Sequence, residues 1–364
     1  MSSQKNAPVR GAEWTMLQAV ARPLAMLFAL GVALKNGLYD HGLLRPQRLA
    51  WPVVSVGNLS VGGTGKTPFV RELARLLQQR GWQVDVLSRG HGRNSKQVEA
   101  VDPAGPVQRY GDEPLLLARS GLNVYVGRKR YGAGRLAEVA RLTETSDAAF
   151  GLTARSLHLL DDGFQHRRLA RAVEIVLLER RDFTDRMLPA GRLREPCSAL
   201  RRADICVLRE EDRDLAAPVM EAMQTGDPAR VWFLRRVTSM TSAGTGPEAG
   251  RLQRAVAFCG IGNAAQFFSS LRQAGVTLVA EVAFRDHHVY TDRDVDALVE
   301  RVRACHADGF VTTEKDSVRL EGGLRETLGA FAPLHIADLA VTLEGPERCL
   351  DFLVGLLDKR PGVR

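Results

Sequence analysis

The sequence predicts an α/β fold: a parallel sheet with helices on both faces, a second, smaller α/β unit after it, and an apolar helix in front. Three observations predict it. Short apolar, β-branched segments alternate with helical or loop stretches along most of the 364 residues, the pattern of strands joined by crossover helices. A chain of this length exceeds one typical domain, and its 45% hydrophobic content is enough for two cores. A small, polar, glycine-rich stretch, TSMTSAGTGPEAG at 238–250, separates two runs of strand signals. The division expected is an N-terminal helix over 1–40, a first α/β domain over 41–237, a linker over 238–250, and a smaller α/β domain over 251–364.

The first element is the apolar run Pro23 to Leu34, bounded by Arg22 and Lys35. Crossing a bilayer takes about 20 apolar residues, so this run is too short to span one. No small-residue cleavage site follows it, as a secretory signal would need; Lys35-Asn36 stands there instead. A helix lying in a membrane interface, basic residues beside the headgroups, suits the run, and an ordinary buried helix is the alternative.

Next, VGNLSVGGTGKTPFVRELARLL at 56–77 reads as a strand end, a glycine-rich turn and an amphipathic helix. The strand is Val53 to Val56. Gly62, Gly63 and Gly65 let successive N–H groups point into one concavity, and Phe69, Val70, Leu73, Leu76 and Leu77 follow helical spacing. An anion such as phosphate is favoured there by orphan N–H groups and the helix dipole. Pro68 suits a first helical turn. The pattern departs from G-x-x-x-x-G-K-[ST] at one place, where Ser60 stands for the first glycine. The order of strand, loop and helix nevertheless makes the fold P-loop NTPase-like, against the plainer reading of a flexible connection with Lys66 in solvent. The residues that would hold a nucleotide are Ser60, Val61, Gly62, Gly63, Thr64, Gly65, Lys66 and Thr67.

Further strands follow at QVDVLS (83–88), NVYVG (123–127), EIVLLE (174–179) and DICVLR (204–209). Among them LHLLDDGFQH at 157–166 ends an apolar strand in Asp161 and Asp162 before Gly163. Ligands of open α/β sheets collect at the carboxyl ends of strands, so this pair would lie beside the glycine-rich loop. Mg²⁺ takes oxygen ligands, one or two of them carboxylates, which makes Thr67 and one of Asp161 and Asp162 its candidate ligands; an acidic turn is the alternative. After residue 250, RAVAFCGIGN, VTLVAEVAF, GFVTTEKD and PLHIADLAV restart the strand pattern, with the site expected in the cleft between the two units. Five cysteines without C-x-x-C or C-x-x-H pairing argue for a reduced chain without a zinc site or disulfide framework. A formal charge of +8 implies an anionic partner. Nothing resembles an RNA-binding sheet, zinc finger or basic zipper, so no nucleic acid is expected and lipid or a phosphorylated substrate is preferred.

Other stretches are less generic: SRGHGR (88–93), YGDEP (110–114), LPAGRLREP (188–196), DHHVYT (286–291) and TTEKDSVRL (312–320). With GNLSVGGTGKTP and LDDGFQH, their identity and order resemble the tetraacyldisaccharide 4′-kinase family, the lipid A kinases of Gram-negative bacteria, over roughly residues 15 to 355. The resemblance implies ATP- and Mg²⁺-dependent transfer of the γ-phosphoryl group to the 4′-hydroxyl of an acylated glucosamine disaccharide 1-phosphate, a glycolipid. It places the enzyme at the cytoplasmic face of the inner membrane, peripheral or monotopic, with an N-terminal membrane-associating helix. Ser60 is normal for the family, whereas His91 stands where tyrosine is more usual and Arg192 where proline is common.

The family also points to Asp112 of YGDEP as the base for the sugar hydroxyl, with His287 of DHHVYT bonded to it and Lys66 on the phosphates. On sequence alone Asp112 reads rather as a helix cap before Pro114, and it is the resemblance that favours the base. His288 stands next to His287, and the resemblance favours the first of the pair. A membrane-peripheral P-loop ATPase switch acting on a protein partner is the competing function; it would need no DHHVYT and no glycolipid.

Overall fold

The computed structural model describes residues 10–144, 155–242 and 252–360. Twelve strands form one sheet. They are β1 (Val53–Asn58), β2 (Gln83–Ser88), β3 (Glu99–Ala100), β4 (Asn123–Val126), β5 (Ser156–Asp161), β6 (Val173–Leu177), β7 (Ile205–Arg209), β8 (Val231–Ser242), β9 (Arg254–Cys259), β10 (Thr277–Ala283), β11 (Gly309–Thr313) and β12 (Leu334–Leu343). The spatial order is β10-β9-β11-β12-β8-β7-β6-β1-β5-β2-β4-β3. Neighbours run parallel except for β3 against β4 and β8 against β12. Every residue of β1, β6 and β11 is buried, as expected of parallel strands covered by helices on both faces.

The helix Lys66–Gln79 buries Phe69, Val70, Leu73, Ala74, Leu76 and Leu77, the face its spacing predicts. These side chains join one core with Val54 and Val56 of β1 and Val84 and Val86 of β2. The helix Pro346–Lys359, which sequence order assigns to the second unit, packs into this same core through Leu350, Leu353 and Leu357. A separate core lies in the other half, where Val256, Phe258, Phe310 and Leu334 meet Val295, Leu298 and Val302 of the helix Asp292–Cys305.

The expected linker differs at its start. Residues 238–242 continue β8, which pairs with β12 from Leu234↔Leu343 to Ser242↔His335. Thr, Ser and Met are compatible with an extended, paired backbone, and the first glycine of the segment in the sequence is Gly244. Residues 243–250, the rest of that segment, lie outside the described residues.

At the N-terminus a helix spans Arg10–Asp40 and carries Pro23 inside it. Leu24, Met26, Leu27, Leu30 and Leu34 are exposed along it. Its last turns are tied to the domain: Lys35 Nζ donates to the Gln165 carbonyl (2.9 Å), Asn36 Nδ2 to Glu195 (2.7 Å), and Arg167 to Asp40 (2.8 Å). Among the described residues no helix is long and apolar enough to cross a membrane.

Candidate active site

The loop after β1 shows why serine is tolerated where a glycine is usual. Ser60 is fully buried and forms an isolated antiparallel bridge with Leu193. Val61 N donates to Arg192 O (2.8 Å) and Arg194 N to Leu59 O (2.7 Å). The loop entry is therefore extended backbone paired with LPAGRLREP, a conformation open to any residue. Glycine is needed further on, at Gly62 (φ 113°) and Gly65 (φ 87°). The helix begins at Lys66, and Arg236 of β8 donates to the Thr64 carbonyl from outside the loop (3.0 Å). Thr64 is buried, and its hydroxyl has no partner among the described residues.

Register carries the acidic pair to the same edge of the sheet, because Val56 of β1 lies opposite Asp161 of β5. The residue that follows the pair must be small: a Cβ on Gly163 would stand 2.4 Å from Ser55 Oγ. Asp162 accepts hydrogen bonds from Arg194 Nη1 and Nη2 (2.9 and 2.7 Å) and lies 3.4 Å from Lys66 Nζ. Burial would raise its carboxyl, yet Arg194 and Lys66 outweigh burial and hold it below the usual carboxylate range. Lys66 Nζ also donates to Asn58 Oδ1 (3.0 Å), which Arg194 contacts as well. Asp161 contrasts with its neighbour. Among the described residues its side chain accepts one hydrogen bond, from Ser88 Oγ at 3.4 Å, and burial, with the Glu113 and Asp162 carboxylates nearby, outweighs Lys66 and Lys315 and pushes its carboxyl up to about 7. A carboxylate with no salt bridge among the described residues, beside the glycine-rich loop, suits Mg²⁺ held jointly with phosphate oxygens. No group of three or more His, Cys, Asp or Glu able to hold a metal occurs among the described residues.

A second cluster gathers around Asp112, the first residue of the helix Asp112–Arg119. Gly111 before it has φ 88°, and a Cβ there would meet the His91 carbonyl at 2.8 Å. The Asp112 side chain does not cap the helix. Its Oδ2 instead accepts from His287 Nδ1 (2.9 Å) and from Arg319 Nε (2.9 Å) and Nη2. Its Oδ1 has no hydrogen-bond partner among the described residues. Burial acts to raise Asp112, but His287 and Arg319 outweigh it and bring the carboxyl down to about 2. The same bond to Asp112 raises His287, against burial.

Arg319 is held in turn. Nη1 donates to Gly260 O (2.7 Å) and lies 3.1 Å from Asp316, which accepts Gly260 N (3.0 Å). Gly260 O also accepts His287 N (3.1 Å), whose residue has φ 58°. The knot fixes which histidine faces Asp112: His288 bonds Asp294 (3.1 Å) and stacks on Phe284 at 4.6 Å. His91 places its ring 5.7 Å from that of His287, and Arg192 pairs with Asp185 (3.1 Å).

The structure thus brings Asp112 and His287 into contact across 175 positions, and sets Lys66 beside Asp162. Sequence reasoning assigned no role to Arg319, Arg194, Asn58, Arg236 or the Lys315–Glu113 pair (2.7 Å). TTEKDSVRL and LPAGRLREP are legible as unusual stretches, but the partners of their basic residues lie far away in the chain.

A sequence profile of the family described as "Tetraacyldisaccharide-1-P 4'-kinase" matches residues 17–357. The chain is 42% identical over 348 residues to the tetraacyldisaccharide 4'-kinase of Koribacter versatilis, covering 93% of this chain and 99% of that one. It is 38% identical to that of Pelobacter propionicus, covering 93% and 92%. The crystal structure of the "apo" form of LpxK from Aquifex aeolicus in complex with ATP superposes with a TM-score of 0.72 at 31% identity, covering 93% of this chain and 99% of that one. With a match over nearly its whole length and relatives this similar, the chain belongs to the tetraacyldisaccharide-1-P 4′-kinase family.

Proposed function

We propose that the chain carries out its family's reaction, ATP-dependent phosphorylation of the 4′-hydroxyl of tetraacyldisaccharide 1-phosphate in lipid A biosynthesis, with donor and acceptor ends built from the two clusters above. The observation that carries the assignment of roles is the Asp112 carboxylate: three N–H donors converge on Oδ2, and Oδ1 is left to accept a proton. A group held near 2 is a weak base. It is adequate here because the hydroxyl proton becomes acidic only as the oxygen bonds phosphorus, late in a loose transition state. His287 and Arg319 orient the carboxylate.

On the donor side the amides of Gly62 to Thr67 and Lys66 Nζ hold the β- and γ-phosphates, with Ser60 and Val61 shaping the entry. Thr67 and Asp161 would hold Mg²⁺, since the oxygens of Asp162 are already engaged by Arg194 and Lys66. Bound there, the ion neutralises charge on the phosphate oxygens. Asp162 keeps Arg194 and Lys66 in place. The apolar strip Leu24 to Leu34 lies on the inner-membrane surface and brings the enzyme to its glycolipid. The two halves of the sheet act as nucleotide and acceptor domains.

The test is γ-labelled ATP with a lipid A disaccharide precursor and a no-lipid control. Label should appear on the glycolipid, and ATP turnover should depend on it. Equal ATP hydrolysis without lipid would favour a P-loop ATPase switch instead.

A further inference from the structure

Arg71 stands on the helix that opens with Lys66 and Thr67, yet its guanidinium leaves the nucleotide half. Nη1 donates to both oxygens of Glu314 (2.9 and 3.1 Å) and Nη2 to both oxygens of Asp338 (2.6 and 2.9 Å). Glu314 begins the helix Glu314–Arg319, whose last residue is the arginine that holds Asp112. Asp338 lies on β12, directly after the stretch that pairs with β11, the strand leading into that helix. One side chain therefore clasps the helix behind the phosphate loop to the segment that orients the acceptor carboxylate. Only 23% of the Arg71 side chain is exposed, and its planar fork matches two carboxylates at once, which a lysine cannot do.

We propose that Arg71 is a positioning residue for phosphoryl transfer: by joining the helix Lys66–Gln79 to Glu314 and Asp338 it sets the separation between the phosphate loop and the Asp112–His287 pair. This rests on the reading that the loop holds ATP and that Asp112 receives the hydroxyl proton. Transfer between two bound groups is governed by their approach, and a misplacement of about 1 Å can cost on the order of 10²-fold in rate. The inference therefore requires Arg71 to act on kcat and to leave nucleotide affinity alone.

The experiment compares Arg71→Met, Arg71→Lys and Arg71→Met with Glu314→Gln, measuring kcat, ATP Kd and Tm. Arg71→Met should lower kcat about 10- to 100-fold with ATP Kd within about twofold. Arg71→Lys, which keeps the charge but engages one carboxylate, should fall between. Removing Arg71 leaves two carboxylates facing each other, and Glu314→Gln relieves that repulsion. In the double variant Tm should recover while kcat stays low. Wild-type kcat in Arg71→Met, or full recovery of kcat in the double variant, would overturn the inference. Should Arg71→Met fail to fold, wild-type kcat in Arg71→Lys would overturn it equally. Asp112→Asn is assayed alongside. If that variant is impaired while the Arg71 variants are not, only the clasp is wrong. If Asp112→Asn is fully active, the acceptor reading itself has failed.

Discussion

Replacing Asp112 by Asn separates its proton-accepting role from its structural one. The amide oxygen of Asn can take over the three N–H bonds that converge on Oδ2, from His287 and from two nitrogens of Arg319. An NH₂ group then stands at the place of Oδ1, and it cannot take a proton. Loss of a positioned acid–base group costs about 10²- to 10⁴-fold, so kcat at saturating ATP and lipid should fall by at least the lower figure while ATP Kd is unchanged. The substitution also has a stability signature. The carboxyl lies at about 2 in the folded protein, below its ordinary value. Ionised Asp112 therefore stabilises the fold above pH 4 or so, by about 2 kcal/mol, and this contribution is lost as pH falls from about 4 to 2. The Asn variant should be less stable at pH 7 and should lose less stability across that acid window. Stopped assays with labelled ATP give kcat, and urea unfolding at pH 7, 4 and 3 gives the stability. Near-wild-type kcat in Asp112→Asn would refute the base assignment, and the enzyme would then work by positioning alone.

Other outcomes follow from the same geometry. Lys66→Ala should lower turnover more than 10²-fold with little change in far-UV circular dichroism, because among the described residues Lys66 Nζ bonds to Asn58 and pairs with Asp162 at the loop and supports no core; retained turnover would remove it from the phosphate site. Asp161→Asn should raise the Mg²⁺ concentration for half-maximal turnover at least about tenfold, and an unchanged Mg²⁺ titration would point to Asp162 as the ligand. Leu27→Glu with Leu30→Glu should weaken co-sedimentation with anionic vesicles and shift stability by no more than about 0.5 kcal/mol, since those side chains are 65% and 66% exposed. A marked loss of Tm with unchanged vesicle binding would show the strip to be packed against protein.

Local patterns were the legible part of the molecule. Strand β1, its glycines and the helix behind them are one continuous stretch whose spacing carries its own meaning, and the same holds for LLDDG at the end of β5. The second half of β8 is hidden in sequence because small polar residues suit a linker as well as a strand, and only the partner β12 decides between them. For Asp112 the sequence leaves capping and proton transfer open. What settles its contacts is Arg319, which lies 207 positions away. Arg71 with Asp338 and Arg194 with Asp162 are likewise pairs made by the fold, with no spacing rule to reveal them.

The helix Pro346–Lys359 has a bearing on biosynthesis. Leu350, Leu353 and Leu357 fill the core that β1, β2 and the helix Lys66–Gln79 begin, and Arg80 on that side holds Asp351 (2.7 Å). A ribosome emits the glycine-rich loop well before the helix Pro346–Lys359, so the apolar surface behind the loop stays open until that helix emerges. Nascent chains of this protein should therefore depend on chaperones until residues 346–359 are available to pack. Truncation before residue 346 should give aggregates rather than a free nucleotide-binding fragment.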